Sequence, residues 1–311
     1  MAEIELSALN EQASLTPHAL IAHAETAYAA AMRYVRDRVL ERADRLLLLA
    51  GPSGSGKTTS ANLLRDLFRA AGHEARVVSL DDFYRRPDDP NYPRLPCGSP
   101  DYECVESLQI DKLHHVIECI QKGKDVYIPR FDFKEGRSIP DATLLPATRG
   151  GIVIFEGLHA LNPLLTDGLP DRDVYRLFIS VSTNLVHRGE RLLSGKKMRF
   201  CRRLVRDSIF RSSDAARTLS LWRNVLEGEE KYLYPYRDTA HFCLNTFHAF
   251  ELCVLAEAAL SLLAAPEVQS DPYAAVVRDA LSRVTPVSPS LVPPTSLIRE
   301  FMAGGIYEAL Y

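Results

Sequence analysis

The fold of this chain is decided by the stretch Arg45-Leu-Leu-Leu-Leu-Ala50-Gly51-Pro-Ser-Gly-Ser-Gly56-Lys57-Thr58. The apolar run over 45–50 predicts a strand that is buried on both faces of a parallel sheet. Residues 51–58 match the pattern GxxxxGK[ST] without a mismatch. Apolar residues at helical spacing between 57 and 71 predict a helix directly after this loop. Strand, glycine loop and helix in this order predict a site for a nucleotide triphosphate.

The residue types of the loop suit the binding of phosphate. Glycines allow backbone N–H groups to turn toward an anion, and the start of the helix adds partial positive charge. Lys57 can reach the β- and γ-phosphates, and the Thr58 hydroxyl can ligate Mg²⁺. We therefore expect ATP to be held by eight residues of the loop and helix start, which are Gly51, Ser53, Gly54, Ser55, Gly56, Lys57, Thr58 and Thr59.

Outward from the loop, the patterns predict a three-layer α/β fold of the P-loop type with a mostly parallel sheet, an arginine-rich helical lid and a small β-ribbon at an acceptor site. Further strands are predicted over 75–80, 126–133, 151–155, 174–181 and 241–244. Further helices are predicted over 16–44, 107–121, 184–193, 219–232, 247–264 and 271–284.

These elements divide into an N-terminal helical extension (1–44), a nucleotide-binding domain (45–265, with the lid at about 188–231) and a C-terminal extension packed on that domain (266–311). The long loop over 84–106 lies where functional loops of compact domains are often found.

The composition is that of an ordinary globular protein, with 46% hydrophobic and 25% charged residues. A formal charge of −3 favours neither a nucleic acid nor a membrane as partner. The six cysteines form no CxxC pair and are expected to be free thiols. No signal peptide and no apolar run of membrane-spanning length is found in the sequence, so a cytoplasmic enzyme is predicted.

Two carboxylates follow predicted strands. Asp81 ends the second strand of the β-α-β unit, and ligands bind at this edge of open α/β sheets. A carboxylate there can accept the proton of an attacking hydroxyl. Glu156 ends the apolar strand Ile152-Val-Ile-Phe and is expected to face Mg²⁺ directly or through water.

The segment from Arg188 to Arg217 is strongly basic. Ten basic residues against three acidic ones leave a net charge of +7. A solvated helix face and a nucleic-acid surface are two interpretations. However, residues 199, 202, 203 and 206 share one helical face, which favours a lid whose arginines close over a transferring phosphate.

In their order along residues 45–255, the motifs GPSGSGKTT, SLDDFY, IPRFDF, IVIFEG and RRLVRD resemble those of the uridine kinase and phosphoribulokinase family. The stretch 228–236 and the tail 296–305 resemble the bacterial uridine-kinase-like nucleoside kinases. The resemblance implies transfer of the ATP γ-phosphate to the 5′-hydroxyl of a pyrimidine nucleoside. Asp81 is then the proton acceptor, Lys57 binds phosphate, and Thr58 with Glu156 holds Mg²⁺.

On the acceptor side, the resemblance implies that Glu103 binds the ribose hydroxyls and that Arg203 and Arg206 are lid arginines. The pocket is expected between 82–106 and 126–137. Phe131 stands where the family has a base-contacting tyrosine, and the family's base-contacting histidine is replaced near Gly136. Other residues expected at this pocket are Tyr84, Tyr102, Arg130, Lys134 and Arg137.

Two alternatives remain open at the level of sequence. One is a kinase for a different hydroxylated acceptor, such as a sugar phosphate. The other is a non-catalytic, nucleotide-dependent RNA-binding regulator that uses the +7 segment. Assembly into a homo-oligomer is also left open.

Overall fold

Ten strands and ten helices are formed by the residues that the computed structural model describes, which are 2–132, 137–148 and 150–310. The strands are β1 (Ala2–Glu5), β2 (Leu46–Ala50), β3 (Ala75–Ser79), β4 (Val126–Asp132), β5 (Arg137–Leu145), β6 (Ile152–Gly157), β7 (Val174–Ser180), β8 (Thr183–His187), β9 (Glu190–Leu193) and β10 (Phe242–Asn245). The helices are α1 (Leu6–Leu15), α2 (Pro17–Arg42), α3 (Lys57–Ala70), α4 (Ile110–Gln121), α5 (Pro163–Thr166), α6 (Gly195–Phe210), α7 (Ala215–Tyr232), α8 (Glu251–Leu263), α9 (Pro266–Gln269) and α10 (Pro272–Ser282).

The main sheet has five parallel strands in the order β10-β7-β2-β6-β3. Its central strand β2 is buried throughout and alternates between two hydrophobic clusters. Leu47 and Leu49 belong to one cluster, whereas Leu46 and Leu48 belong to the other. A continuous apolar run was needed because both faces of this strand are covered. The predicted α/β fold of the P-loop type is therefore confirmed.

Two layers cover the sheet. On one face the core includes residues of α2, α3, α6, α7, α8 and α10. On the other face it includes residues of α4, α5, β4 and the short 3₁₀ turn Leu80–Phe83. Sheet and layers bring the loop after β2 and the ends of β3 and β6 to the same edge.

The helix predicted over 184–193 is wrong. These residues form most of the hairpin of β8 and β9, and β1 pairs with β8 in a second, three-stranded sheet. The two residues between the strands, Arg188 and Gly189, both have positive φ angles, of 51° and 81°. Such angles are typical of a two-residue hairpin turn, which brings the chain back antiparallel instead of continuing a helix.

The strand predicted over 126–133 is present as β4, and it pairs with β5 in a separate antiparallel ribbon. The pairing register shifts between Ile128 and Arg130, which flank Pro129. A proline cannot donate a ladder hydrogen bond, so an irregular ribbon accommodates it. Phe133, Lys134 and Gly136 lie outside the described residues.

The predicted N-terminal helix is confirmed as α2, whereas β1 and α1 were not anticipated. Thr16 does not cap α2 through its side chain, because its hydroxyl donates a hydrogen bond to the Gln12 carbonyl. Met32, Val35 and Val39 of α2 are completely buried in the cluster that includes α3 and α8. Division of the chain into three parts stays a prediction. The six cysteines are free thiols, and within the described ranges no helix has the length and apolar character to cross a membrane.

Candidate active site

The loop between β2 and α3 makes two turns that require glycine. Gly54 and Gly56 have φ angles of 73° and 89°, which lie in the left-handed region that side chains rarely adopt. A Cβ atom on Gly54 would also lie 2.9 Å from the Arg199 carbonyl oxygen. The tight, left-handed course of this loop is the reason that the sequence carries glycine at both positions.

The carbonyl groups of the loop are bound from beneath by three side chains. Arg199 donates to the Ser53 carbonyl at 2.7 Å, Arg202 to the Gly54 carbonyl at 3.2 Å, and the Thr246 hydroxyl to the Ser55 carbonyl at 2.7 Å. These contacts were not anticipated from the sequence.

With the carbonyl groups held in this way, several amides of the loop remain available. Among the described residues, no hydrogen bond is donated by the amides of Gly54, Gly56, Lys57 and Thr58. Unpaired amides at a helix start are a binding site for an anion. The loop therefore presents the phosphate cradle that the motif predicts.

Arg199 and Arg202 are held by buried carboxylates. Arg199 forms two hydrogen bonds of 2.7 Å with Glu229, and Arg202 binds Glu251 at 2.6 and 3.1 Å. All four side chains are at most 1% exposed. The interpretation of these two arginines as lid residues that close over the phosphate is therefore wrong. They support the phosphate loop from within the core, because their side chains reach loop carbonyls.

The partners Glu229, Glu251 and Thr246 were missed because each lies 30 or more residues along the chain from its arginine. A buried glutamate within an apolar helix start, as in 247–255, is the one signal that the sequence offered for Glu251.

Lys57, Thr58 and Glu156 come together beside the cradle. The Thr58 hydroxyl lies 3.5 Å from Glu156 Oε1, and the Ser79 hydroxyl donates to the same oxygen at 2.8 Å. Ser79 faces Glu156 because β3 pairs with β6 in register at these residues. Lys57 Nζ donates a hydrogen bond of 3.3 Å to the carbonyl of Pro52, near the start of the loop.

Asp81 lies in the turn that directly follows β3, next to this group. Burial raises the pKa of Glu156, the negative charge of Asp81 raises it further, and Lys57 acts in the opposite direction. Two carboxylates and one ammonium group thus share one edge of the sheet. Asp81 and Glu156 thus lie at the same edge of the sheet, and their roles as proton acceptor and Mg²⁺ ligand stay predictions.

The oxygen atoms of Thr58 and Glu156 fit a magnesium ion. Mg²⁺ in nucleotide sites takes one or two protein oxygens and completes its shell with phosphate oxygens and water. A buried carboxylate within 3.5 Å of a hydroxyl provides two such hard ligands. No group of three or more His, Cys, Asp or Glu that could enclose a metal alone occurs in the described part of the chain.

On the acceptor side, Glu103 packs directly against α7. A Cβ atom on Gly228 would lie 2.3 Å from Glu103 Cβ, so only glycine allows this approach. Burial raises the pKa of Glu103 to about 7, and the charge of Arg203 opposes that rise. The described residues donate no hydrogen bond to the Glu103 carboxylate, so its oxygen atoms are available to a ligand.

Tyr84 and Asp82, which follow β3, lie against Phe131 of the ribbon strand β4. The Tyr84 and Phe131 rings meet edge to face with centroids 5.8 Å apart. The Phe131 amide donates to the Asp82 carboxylate at 3.1 Å, and burial raises the pKa of Asp82 to about 6. The Tyr84 hydroxyl donates to the Tyr102 carbonyl at 2.8 Å. Tyr84 and Phe131 are thus brought together as predicted.

The other ribbon residues are less closely placed. Arg130 and Arg137 are exposed, and Arg137 pairs across the ribbon with Asp132. The described contacts do not join Arg137 to Asp81 or Glu103. Lys134 and Gly136, which the sequence also placed near the acceptor, lie outside the described residues.

Arg203 and Arg206 gather around Asp207 beside the phosphate loop. Arg203 donates to the Ser53 hydroxyl at 3.0 Å and to Asp207 at 3.1 Å, and Arg206 binds Asp207 at 2.7 and 2.9 Å. Arg211 lies 3.8 Å from the same carboxylate. Repulsion by Arg206, together with burial, lowers the pKa of Arg211 to about 10. Three guanidinium groups thus lie around one carboxylate, and Arg203 connects this cluster to the phosphate loop.

The phosphate cradle, the hydroxyl–carboxylate pair suited to Mg²⁺ and the further carboxylate at the same sheet edge are together typical of a P-loop protein. A sequence model of the phosphoribulokinase / uridine kinase family matches residues 46–251. The chain belongs to this family.

Individual relatives carry related names. A uridine kinase of Schizosaccharomyces pombe is 29% identical over 192 residues, which are 61% of this chain and 36% of the relative. The chain thus spans about a third of that protein. A uridine kinase of Ureaplasma urealyticum serovar 10 is 24% identical over 200 residues, covering 63% of this chain and 85% of the relative. Among solved structures, a protein assigned as a fructose transport system kinase from Silicibacter sp. TM1040 is 21% identical, with a TM-score of 0.49, and the match covers 65% of this chain and 95% of that one.

Proposed function

We propose that this kinase transfers the γ-phosphoryl group of ATP to the 5′-hydroxyl of a pyrimidine nucleoside, uridine- or cytidine-like. The observation that carries the proposal is the position of Asp81. It lies in the turn after β3, near enough to Glu156 and Glu103 to raise the pKa of both. A carboxylate there is close both to Glu156 beside the phosphate cradle and to Glu103, the residue that suits ribose hydroxyls.

In the proposed reaction, Asp81 accepts the proton of the attacking hydroxyl. Lys57 and the free loop amides bind the triphosphate tail. Thr58 and Glu156 would hold Mg²⁺, which would supply charge neutralisation at the phosphate oxygens. In-line transfer of this kind depends on positioning and on electrostatic stabilisation more than on covalent chemistry.

The remaining residues hold the two substrates. Arg203 and Arg206 carry positive charge beside the loop and would stabilise charge on the transferring group. Glu103 would accept hydrogen bonds from the ribose hydroxyls. Tyr84 and Phe131 offer an aromatic wall for the base.

The first test is Asp81→Asn, with Asp82→Asn as the matched control. We expect Asp81→Asn to lower kcat by about 10²- to 10⁴-fold, the range for loss of a general base, while ATP still binds. In this proposal Asp82 takes no part in the proton transfer, because its carboxylate accepts a hydrogen bond from the Phe131 amide. Equal losses in the two variants, or unchanged turnover in Asp81→Asn, would contradict the proposed role.

A sugar phosphate is a second candidate acceptor, and one observation favours it. Arg203 and Arg206 place positive charge beside the phosphate loop, which suits an acceptor that carries its own phosphate, and Phe131 offers no hydroxyl to a base. ADP release across a panel of nucleosides and sugar phosphates decides between the two. The nucleoside proposal requires kcat/KM for uridine or cytidine to exceed that for every sugar phosphate tested.

Binding of RNA through the basic segment is less well supported. Arg199, Arg202, Arg203 and Arg206 all bind carboxylates within the chain, and two of them are fully buried. An RNA-binding surface would expose such side chains and would show a steep dependence on salt.

A further inference from the structure

The C-terminal segment, defined here as residues 296–307, lies against the phosphate loop. It is outside residues 46–251, which match the family. A 3₁₀ turn, Leu297–Glu300, begins the segment, and the Ser296 hydroxyl accepts a hydrogen bond from the Ile298 amide at its start. This places Leu297 and Glu300 at the start of α3.

Leu297 packs on the backbone of the loop. A Cβ atom on Gly56 would lie 2.6 Å from Leu297 Cδ1 and within 2.9 Å of two further atoms of that side chain. Leu297 is itself completely buried. The left-handed turn at Gly56 is thus closed on one side by the C-terminal segment.

Glu300 binds the first turn of α3. Its Oε2 atom accepts a hydrogen bond from the Thr59 amide at 3.0 Å, and its side chain is nearly fully buried. The Thr59 amide is one of the N–H groups at a helix start that have no partner within the helix. At the other end of the loop, Glu229 accepts a hydrogen bond from the Ser53 amide at 2.9 Å. Glu229 and Glu300 therefore bind the amides at the two ends of the loop. Between these ends lie the amides of Gly54, Gly56, Lys57 and Thr58, which donate no hydrogen bond to the described residues.

Two more contacts hold the C-terminal segment against the nucleotide-binding part of the chain. The Arg202 guanidinium, which binds the Gly54 carbonyl, lies 4.9 Å from the centre of the Phe301 ring. The Tyr307 hydroxyl donates to Asp66 at 2.6 Å, two turns further along α3.

We propose that the turn Leu297–Glu300 of the C-terminal segment is a working part of the nucleotide site, and that Glu300 is a positioning residue for the first turn of α3. By binding the Thr59 amide, Glu300 fixes the preceding residues Lys57 and Thr58, which face the phosphates and Mg²⁺. This inference concerns the nucleotide alone and is independent of the acceptor proposed above.

The test measures binding of MgATP without an acceptor, by calorimetric titration, in Glu300→Met, Glu300→Gln and Tyr307→Phe. Methionine fills the space but accepts no hydrogen bond from the Thr59 amide, whereas glutamine keeps an accepting oxygen. We expect the Kd for MgATP to rise about 10-fold in Glu300→Met and to stay within about 3-fold in Glu300→Gln. Tyr307→Phe removes a contact to the same helix away from the loop, and its Kd should stay within about 2-fold.

Unchanged MgATP binding in Glu300→Met would overturn the proposal. Tighter binding in that variant would also overturn it, since Glu300 would then compete with phosphate. If MgATP binding weakened equally in Glu300→Gln, the effect would come from the charge of Glu300 and not from its hydrogen bond to Thr59. That result would also contradict the proposal. If Glu300→Met does not fold, Glu300→Ala takes its place. With an active acceptor, KM for ATP should rise in Glu300→Met while kcat at saturating ATP is retained.

Discussion

Glu103 is the single residue whose protonation most directly connects burial with function. It packs against Gly228, and burial raises its pKa to about 7 from an ordinary value of 4.5. As a carboxylate it can accept two hydrogen bonds from neighbouring hydroxyls, and such charge-assisted bonds are stronger than neutral ones. The strength of the proposed hydrogen bonds between Glu103 and the ribose should therefore change with pH near neutrality.

We expect kcat/KM for the nucleoside to increase as the pH rises through about 7, because the carboxylate forms in that range. Glu103→Gln should lower kcat/KM by about 10- to 100-fold at pH 8, since a hydrogen bond to a charged group contributes about 1.5–3 kcal/mol. The same variant should lose the inflection near pH 7. Initial rates between pH 5.5 and 9 measure both effects.

Glu106→Gln is the matched control, because Glu106 is a neighbouring, exposed carboxylate whose pKa is lowered by its hydrogen bond with Cys104. Its profile should keep the inflection. An unchanged inflection in Glu103→Gln would show that another group controls the acceptor step.

At the scale of elements, two ion pairs connect α6 with α7, one of them buried and the other exposed. Arg199 and Glu229 are buried and bind the Ser53 backbone on both its carbonyl and its amide. Lys196 and Glu230 meet at 2.5 Å on the surface of the same two helices. The pairs differ in burial while sharing the helices, so they form a natural comparison.

Glu229→Ala should reduce the free energy of unfolding by about 3–5 kcal/mol, because it leaves the Arg199 guanidinium buried without its partner. Lys196→Ala removes an exposed pair and should cost at most about 1 kcal/mol. Urea denaturation followed by circular dichroism measures both.

The double variant Arg199→Met, Glu229→Leu removes both buried charges and should be more stable than Glu229→Ala alone. Its MgATP affinity should nevertheless fall, since the Ser53 carbonyl and amide lose their partners. A double variant as unstable as Glu229→Ala would indicate that packing, and not the unpaired charge, controls the loss.

The elements also show what the sequence could and could not reveal. Local patterns were sufficient for β2, the phosphate loop and α3, because burial on both faces and the need for glycine act within a few residues. The segment that forms the hairpin of β8 and β9 was predicted as a helix from its pattern of apolar residues. That pattern does not reveal that Arg188 and Gly189 adopt positive φ angles and turn the chain back. Nothing local indicated that Glu229, Glu251 and Glu300 would meet the loop, since those contacts depend on the completed fold.

At the scale of the whole molecule, the segments outside the family match contribute to the core that supports the site. Tyr28 of α2 contacts the Ser60 hydroxyl of α3 at 2.7 Å, and Ser60 in turn donates to the Gly56 carbonyl at 2.6 Å. The C-terminal segment binds the same helix start through Glu300. α2 therefore belongs to the structure that holds the phosphate loop, which predicts that it unfolds together with the nucleotide-binding part of the chain.

Met32→Ala tests this cooperativity. Met32 lies in the middle of α2 and is completely buried, so the truncation should cost about 2–5 kcal/mol. Trp222 is the one tryptophan of the chain; it lies in α7 and donates to the Tyr273 hydroxyl. If α2 unfolds with the rest, tryptophan fluorescence and far-ultraviolet circular dichroism should shift to lower urea by the same amount. Arg33→Ala, at the neighbouring exposed position, should change stability by no more than about 0.5 kcal/mol. A fluorescence transition that keeps its midpoint while the dichroism transition splits would instead establish α2 as an independent extension, because its loss would not reach α7.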